Sequence, residues 1–294
     1  MMLLLCITVL NTAGVSLGDP GGNKIMTDVR YGRYASDDIN SFYLEAARGR
    51  IDGVTVVHKF GLAQNINTAD GESDIWDGMS ADLGSNITPY NWIDSGPVDL
   101  QISSSSASDV GNEMSGEGLD EDWNLSSGSV ILNGQTAVPI GFQRNRIHRA
   151  FNSGPTELVG IVYVSDLGTS LTAGVPDDPS KIRAIVHPEA QQTEMALYTV
   201  PVGHKLFITQ GWANVARENV PSGQAGVKIY RRTFGGVFRK VHTLSLSVAG
   251  SSGDQRPYQL PIVFNGKEDL IYKASVSTNG MAVSAGFHGL LIKD

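Results

Sequence analysis

The chain has 294 residues and a mass of 31.4 kDa, enough for one large domain or two of ordinary size and enough to bury a core without covalent staples. Its net charge of −8 is the wrong sign for a non-specific nucleic-acid binder. The single Cys6 excludes an intrachain disulfide framework and a cysteine-built metal cage.

Thirty-four glycines and a wealth of serine and threonine weigh against helices, because these residues cost helix interiors and supply turn dihedrals. Residues 1–40 read as an N-terminal arm. It begins with the apolar run "MMLLLCITVL", too short to span a bilayer. The run is either the apolar part of a secretory signal cleaved near "AGVSLGDP" or an arm buried against a partner. The first positive charge is Lys24, well after the run, and this favours the arm. "DDINSFYLEAARGR" (Asp37 to Arg50) predicts a short helix, with an Asp cap, apolar Ile39, Phe42, Leu44 and Ala47, and a stop at Gly49.

From Val54 the period changes to that of strands. "VTVVHKFG" predicts a strand closed by Gly61, and "TADGESDIWDG" (Thr68 to Gly78) a polar turn leading to Trp76. "VDLQISSSSASD" (Val98 to Asp109) alternates before a serine run, expected at a hydrated strand edge. "SVILNGQTAVPI" (Ser129 to Ile140) predicts a two-stranded hairpin turning at Asn133-Gly134. "LVGIVYVSD" (Leu158 to Asp166) is a further strand, and "GTSLTAGVPDDPSK" (Gly168 to Lys181) a loop. Residues 181–216 carry three short strands around Pro188 and a turn at Pro201-Val202-Gly203. Residues 225–248 carry a hairpin turning at Gly235-Gly236, and residues 258–294 carry two or three more strands with turns at Asn265-Gly266 and Asn279-Gly280. Strand signals at this spacing predict an all-β protein: two stacked β-sandwich or jelly-roll domains, residues 41–180 and 181–294, behind the arm.

The chemistry-bearing residues are sparse. His58, His148, His187, His204, His242 and His288 stand singly, without the spacing of metal ligands, and no nucleophile elbow, P-loop or dinucleotide-binding glycine motif occurs. "EGLDEDWN" (Glu117 to Asn124) lacks the spaced ligands of a calcium loop and reads as a solvated turn. Its acids, with Asp74 and Asp77, are the one candidate for a glycosidase carboxylate pair. No catalytic residue, metal or cofactor is assigned. Two basic clusters stand out, Arg144, Arg146 and Arg149 in "RNRIHR", and Arg231, Arg232, Phe234, Phe238 and Arg239 in "RRTFGGVFRK". In an acidic chain the preferred reading is an interface between subunits, because arginine forks bind carboxylates bidentately and arginine and aromatics are enriched at interfaces. A solvated face, or contact with nucleic acid or a host glycan, are the alternatives. In the glycan case two of Trp76, Trp92, Trp123 and Trp212 would lie exposed side by side.

Taken together, these segments resemble virion structural proteins of tailed bacteriophages, chiefly those of marine and other aquatic phages. The resemblance runs through "EAARGRIDGVTVVHKFG" (Glu45 to Gly61), "ESDIWDG" (Glu72 to Gly78), "LQISSSSASD" (Leu100 to Asp109), "GLD" then "VILNGQTAV" (Gly118 to Val138), "YTVPVGHK" (Tyr198 to Lys205), "FGGVFR" (Phe234 to Arg239) and "VSAGFHGLLI" (Val283 to Ile292). It spans about residues 42–294 and leaves out the arm. It implies a non-enzymatic, β-rich virion part present in many copies. The expectation is a capsid decoration, cement or head-fibre subunit on the outside of the head. Such a subunit would be a homotrimer bound to the major capsid protein or other virion proteins, with no nucleic-acid or membrane partner. A tail, collar, baseplate or fibre-base subunit, or a host-surface glycan-binding module, are the alternative placements.

Overall fold

Strands take up most of the residues described by the computed structural model, which are 42–294 apart from 81, 82, 84, 85, 88, 217–222, 249 and 250. The arm expected at 1–40, and the first residues of the expected helix, lie outside that set; residues 42–47 are helical. The chain then forms β1 (Val54–Ile66) and the two-residue β2 (Ser73–Asp74). A middle group follows: β3 (Val98–Ser104), β4 (Glu113–Leu119), β5 (Leu125–Ile131), β6 (Val138–Arg144), β7 (Arg146–Asn152), β8 (Val162–Asp166), β9 (Leu171–Thr172), β10 (Val175–Pro176) and β11 (Ile182–Val186). The last group is β12 (Leu197–Thr199), β13 (His204–Ala216), β14 (Gly223–Thr233), β15 (Arg239–Val248), β16 (Ser251–Phe264), β17 (Glu268–Val276) and β18 (Met281–Lys293).

The first strand and the last group make one sandwich. Its sheets run β1-β18-β13-β16 and β12-β17-β14-β15, with every neighbouring pair antiparallel, and β2 pairs with β17 as well. Numbering these eight strands in chain order gives first-eighth-third-sixth in one sheet and second-seventh-fourth-fifth in the other. That order is a jelly roll. Period-2 alternation explains the burial: Leu206, Ile208, Val283, Ala285 and Phe287 of the first sheet are buried, as are Val227, Ile229, Leu244, Leu270 and Tyr272 of the second. The rings of Tyr272 and Phe287 stack between the sheets with centroids 6.3 Å apart. Each buried valine, leucine, isoleucine or phenylalanine among them contributes about 1.5–3 kcal/mol relative to exposure.

Between β2 and β12 a second sandwich is inserted, with sheets β11-β8-β3-β6 and β5-β4-β7. Leu100, Ile102 and Val164 of the larger sheet face Met114, Ile147 and Ala150 of the smaller across a cavity of about 40 Å³. Two β-sandwiches are thus present, but nested and not serial, and the strand pairing does not follow the expected division at 180/181. The strands β1 and β2, assigned to the first domain, complete the C-terminal jelly roll, and β11, assigned to the second, pairs with β8. Residues 45–294 form one compact unit.

Two local expectations also change. Residues 129–140 do turn at Asn133-Gly134, with Gly134 at φ 55°, but β5 and β6 belong to different sheets and do not form a hairpin. Of the serine run, Ser103, Ser104 and Asp109 are fully buried, whereas Ser105 to Ser108 are half-buried or exposed as expected. The Asp109 carboxylate accepts from Ser104 Oγ at 2.5 Å and from the backbone amides of Val159 and Gly160 at 2.8 and 3.0 Å, tying the β8 approach to the β3 exit.

Candidate functional site: a buried arginine–aspartate junction

The densest polar constellation lies where the inserted sandwich meets the jelly roll. Arg146, at the start of β7, is 2 % exposed, and its guanidinium donates from Nε and Nη2 to the two oxygens of Asp269 on β17, each at 2.9 Å. Asp269 is itself fully buried and also accepts from Arg232 Nε at 2.9 Å and Thr199 Oγ1 at 2.5 Å. Arg232, on β14, forks onto Asp94 at 2.7 and 2.9 Å, and Arg146 completes the square with Asp94 at 3.4 Å. The remaining donor of Arg146 goes to the backbone carbonyls of Ile93 and Asn145. Two cations face two anions, so the cluster is neutral. Bidentate forks between planar groups give it a fixed geometry.

Aromatic rings wall it off. The Arg146 guanidinium lies 5.1 Å from the Trp92 ring, 5.2 Å from Trp123 and 5.4 Å from Phe234, while that of Arg232 lies 5.0 Å from Trp92 and 4.5 Å from Phe238. Such contacts strengthen as water is excluded. Trp123 sits at the β4–β5 turn, where Asp120 Oδ1 accepts from the amides of Asp122 and Asn124. Its carbonyl accepts from Val202 N at 3.0 Å, and its ring meets Phe234 edge-on at 4.8 Å. Its φ of 69° puts a bulky residue in the left-handed region, a strain held by contacts to both sandwiches.

This distributes the eight arginine and aromatic residues expected at an interface. Arg144, Arg146 and Arg232 are buried within the chain; Phe234 and Phe238 flank the junction. Arg149 donates to Gln192 Oε1 at 2.7 Å and lies over Phe151, and Arg231 donates to the Val263 carbonyl. Arg239 is exposed, and Phe234 is 39 % exposed. The acids that answer the buried arginines are Asp94 and Asp269. Neither was readable as a partner, since one precedes the inserted sandwich and the other opens a strand far along the chain.

A groove of about 450 Å³ runs between β1 and the inserted sandwich, lined by His58, Lys59, Glu117, His148, Arg149 and Tyr198 among others. Burial pulls the Lys59 ammonium down to about 8, and its Nζ donates to the His148 carbonyl. Burial, helped by the nearby Lys59 and Arg146 charges, holds His148 well below the ordinary histidine range, and its ring stacks on Tyr198 at 4.1 Å. Of the carboxylates weighed for glycosidase chemistry, Asp74 and Asp77 are spent on structure. Asp74 accepts from Tyr90 N and pairs with Lys273, and Asp77 accepts from Glu194 N, its pKa raised well above the ordinary value by burial. Trp76 is fully buried and Trp123 is 8 % exposed, while Trp92 and Trp212 are half-buried, so no exposed tryptophan pair forms a sugar platform. Among the described residues, no group of three or more His, Cys, Asp or Glu could hold a metal.

The fold and junction define a class: a jelly roll carrying an inserted sandwich, the two clamped by buried charge. No family profile and no curated protein matches the chain. Solved structures that resemble it include the T13 particle of IBDV, with 13 % identity over 82 % of this chain and 71 % of that one at a TM-score of 0.24. Others are the infectious bursal disease virus VP2 subviral particle (14 %, 83 % and 73 %, TM-score 0.21) and the cowpea mosaic virus top component (11 %, 65 % and 80 %, TM-score 0.20). Likenesses this slight carry no conclusion about what this chain does.

Proposed function

We propose that the chain is a non-enzymatic structural subunit of a virus particle. The observation that carries this is the closure of its polar chemistry: the arginine–aspartate junction satisfies its forks internally, behind aromatic rings, and fixes two sandwiches in one orientation. Such a site joins the two sandwiches with its donors and acceptors occupied within the chain. The jelly roll is an architecture that viral capsid domains use, along with lectins and cupins, so the fold agrees with the reading without selecting it. The phage virion resemblance of residues 42–294 is what favours the virion among these.

Within that reading we place the subunit on the outside of the head, as a decoration, cement or head-fibre protein that self-associates as a homotrimer on the major capsid protein. The exposed Arg239 and Phe234, with Arg231 beside them, are offered as the contact edge of the β14–β15 hairpin. Immunogold labelling of purified particles with antibody against this chain tests the placement. Label over heads is the expected result. Label confined to tails moves the subunit to the collar or baseplate, and particles without label overturn the virion reading. Light scattering on the full chain, and on a chain lacking residues 1–40, tests the oligomer: a trimer that survives the deletion is expected, and a monomer in both sinks it.

A further inference from the structure

The four large sheets have two edges each, and the sequence guards seven of them. β16 carries Pro257 and Pro261, and Tyr258 to Pro261 loop out of register opposite the single Thr209. β15 opens on Arg239 and Lys240 and is out of step with β14 at Tyr230. β1 carries His58 and Lys59 and a register shift after Ala63, and β6 has Pro139 and an irregular pairing with β3. β11 and β12 are short and wholly buried. β7 is covered by residues 191–193, whose backbone bonds Asn152 N and the Ala150 carbonyl at 2.8 Å. Proline, charge, bulges and cover are the devices by which sheet edges avoid pairing with other chains.

β5 has none of them. Leu125-Ser126-Ser127-Gly128-Ser129-Val130-Ile131 is uncharged and proline-free, and it pairs with β4 in unbroken register from Leu119↔Leu125 to Glu113↔Ile131. Its other side meets no strand among the described residues. Alternate residues face out, with Leu125 49 % and Ile131 53 % exposed. We propose that this edge pairs antiparallel with β5 of a second copy, about a two-fold axis through Gly128. The segment is self-complementary in that register: Leu125 faces Ile131 of the other copy at both ends, and Ser127 faces Ser129. The two large apolar side chains on the outward face of β5 therefore meet each other, and two three-stranded sheets become one of six. A two-fold contact of this kind is isologous, so it closes on itself instead of propagating into a fibre. It stands independently of the virion reading and would join trimers across two-folds if that reading holds.

The test is sedimentation equilibrium on the full chain, the Ser127→Lys variant and the Ser127→Lys/Ser129→Glu variant, with circular dichroism to confirm folding. A single lysine brings like charge together near the axis and is expected to raise the dissociation constant at least about tenfold. The double variant sets the new ammonium of each copy against the new carboxylate of the other and is expected to restore association to within about threefold of the parent. Ser129→Lys, which lies opposite the uncharged Ser115 of its own chain, is the second single lysine expected to weaken association, and it serves should the first variants fold poorly. Association unmoved by Ser127→Lys, or a double variant as weak as the single, overturns the β5 contact. A trimer indifferent to both leaves self-assembly standing and removes only this edge. A monomeric parent chain removes both.

Discussion

Arg146 and Asp269 lie 123 residues apart and meet in two parallel 2.9 Å hydrogen bonds, one residue on the inserted sandwich and the other on the jelly roll, 2 % and 0 % exposed. Neither could be buried alone, since an isolated ion in the interior costs several kcal/mol. Each is tolerable because the other is there, so the pair specifies how the two sandwiches dock at least as much as it stabilises them.

Removing Asp269 leaves Arg146 and Arg232 facing each other with only the partly exposed Asp94 between them. Asp269→Ala is expected to destabilise the chain by about 3–5 kcal/mol, the cost of orphaning buried charge. Asp94→Ala, at a position 41 % exposed where water can replace the carboxylate, is expected to cost about 1 kcal/mol or less. Urea unfolding compares the two directly. Equal losses would mean that the junction is wetter than its geometry implies.

Trp123 gives a prediction of unusual sign. Both Trp123→Ala and Trp123→Gly lose the ring that packs on Arg146 and Phe234, so both destabilise. At φ 69° the glycine variant is freed of the Cβ strain that alanine retains, and it is expected to be the more stable of the two by about 1 kcal/mol. Thermal unfolding of the pair decides it. An alanine variant that matches or exceeds the glycine variant would show that the turn relaxes once the ring is gone.

The strands were legible because each needs only its own alternation, and the turn glycines because φ is a local property. Pairing partners were not. Nothing near Val54 says that β1 lies beside β18, more than two hundred residues away, so the jelly roll reads as two serial domains. Gly61 reads as a strand end, yet β1 runs through it. A Cβ there would come within 2.2 Å of the Ala196 amide nitrogen, so this glycine permits close approach and not a turn. The arginines stand out by type but read as surface, because composition cannot report which face of a strand a residue occupies when its acids come from elsewhere. The β5 edge is visible in the sequence only as half of a hairpin that does not form.

Gly118 and Gly116 separate backbone crowding from general glycine effects on one strand. A Cβ on Gly118 would lie 2.1 Å from the Arg146 carbonyl oxygen, where β4 and β7 slip register, whereas one on Gly116 has its nearest neighbour, the Arg149 carbonyl oxygen, at 3.7 Å. Gly118→Ala must push β7 away beneath the junction and is expected to lose about 1–3 kcal/mol. Gly116→Ala is expected to be neutral or slightly stabilising, through lower unfolded-state entropy. Denaturant midpoints measure both, and comparable losses would place the crowding elsewhere.

Lys59 makes stability depend on pH in a defined window. Its ammonium titrates at about 8 in the fold because burial disfavours the charge, against about 10.4 in the unfolded chain. Between those values the unfolded state binds the extra proton, so stability rises with pH. Below about pH 8 both states are charged and the fold bears the full cost of burying the ion. Asp77, raised by burial, works oppositely: the advantage of holding its proton in the fold is lost as pH climbs above the ordinary aspartate range. Tyr90 and Tyr163, both pushed up to about 12 by burial, lower stability only above about pH 10. Between about pH 8 and 9.5 the Lys59 contribution should therefore dominate the difference between the parent chain and Lys59→Met, which keeps the apolar stem without the charge. The parent is expected to gain melting temperature across that window relative to the variant, and the variant to be the more stable at about pH 7. Parallel melting curves would show that Lys59 keeps its proton in the fold and that its bond to the His148 carbonyl outweighs the burial.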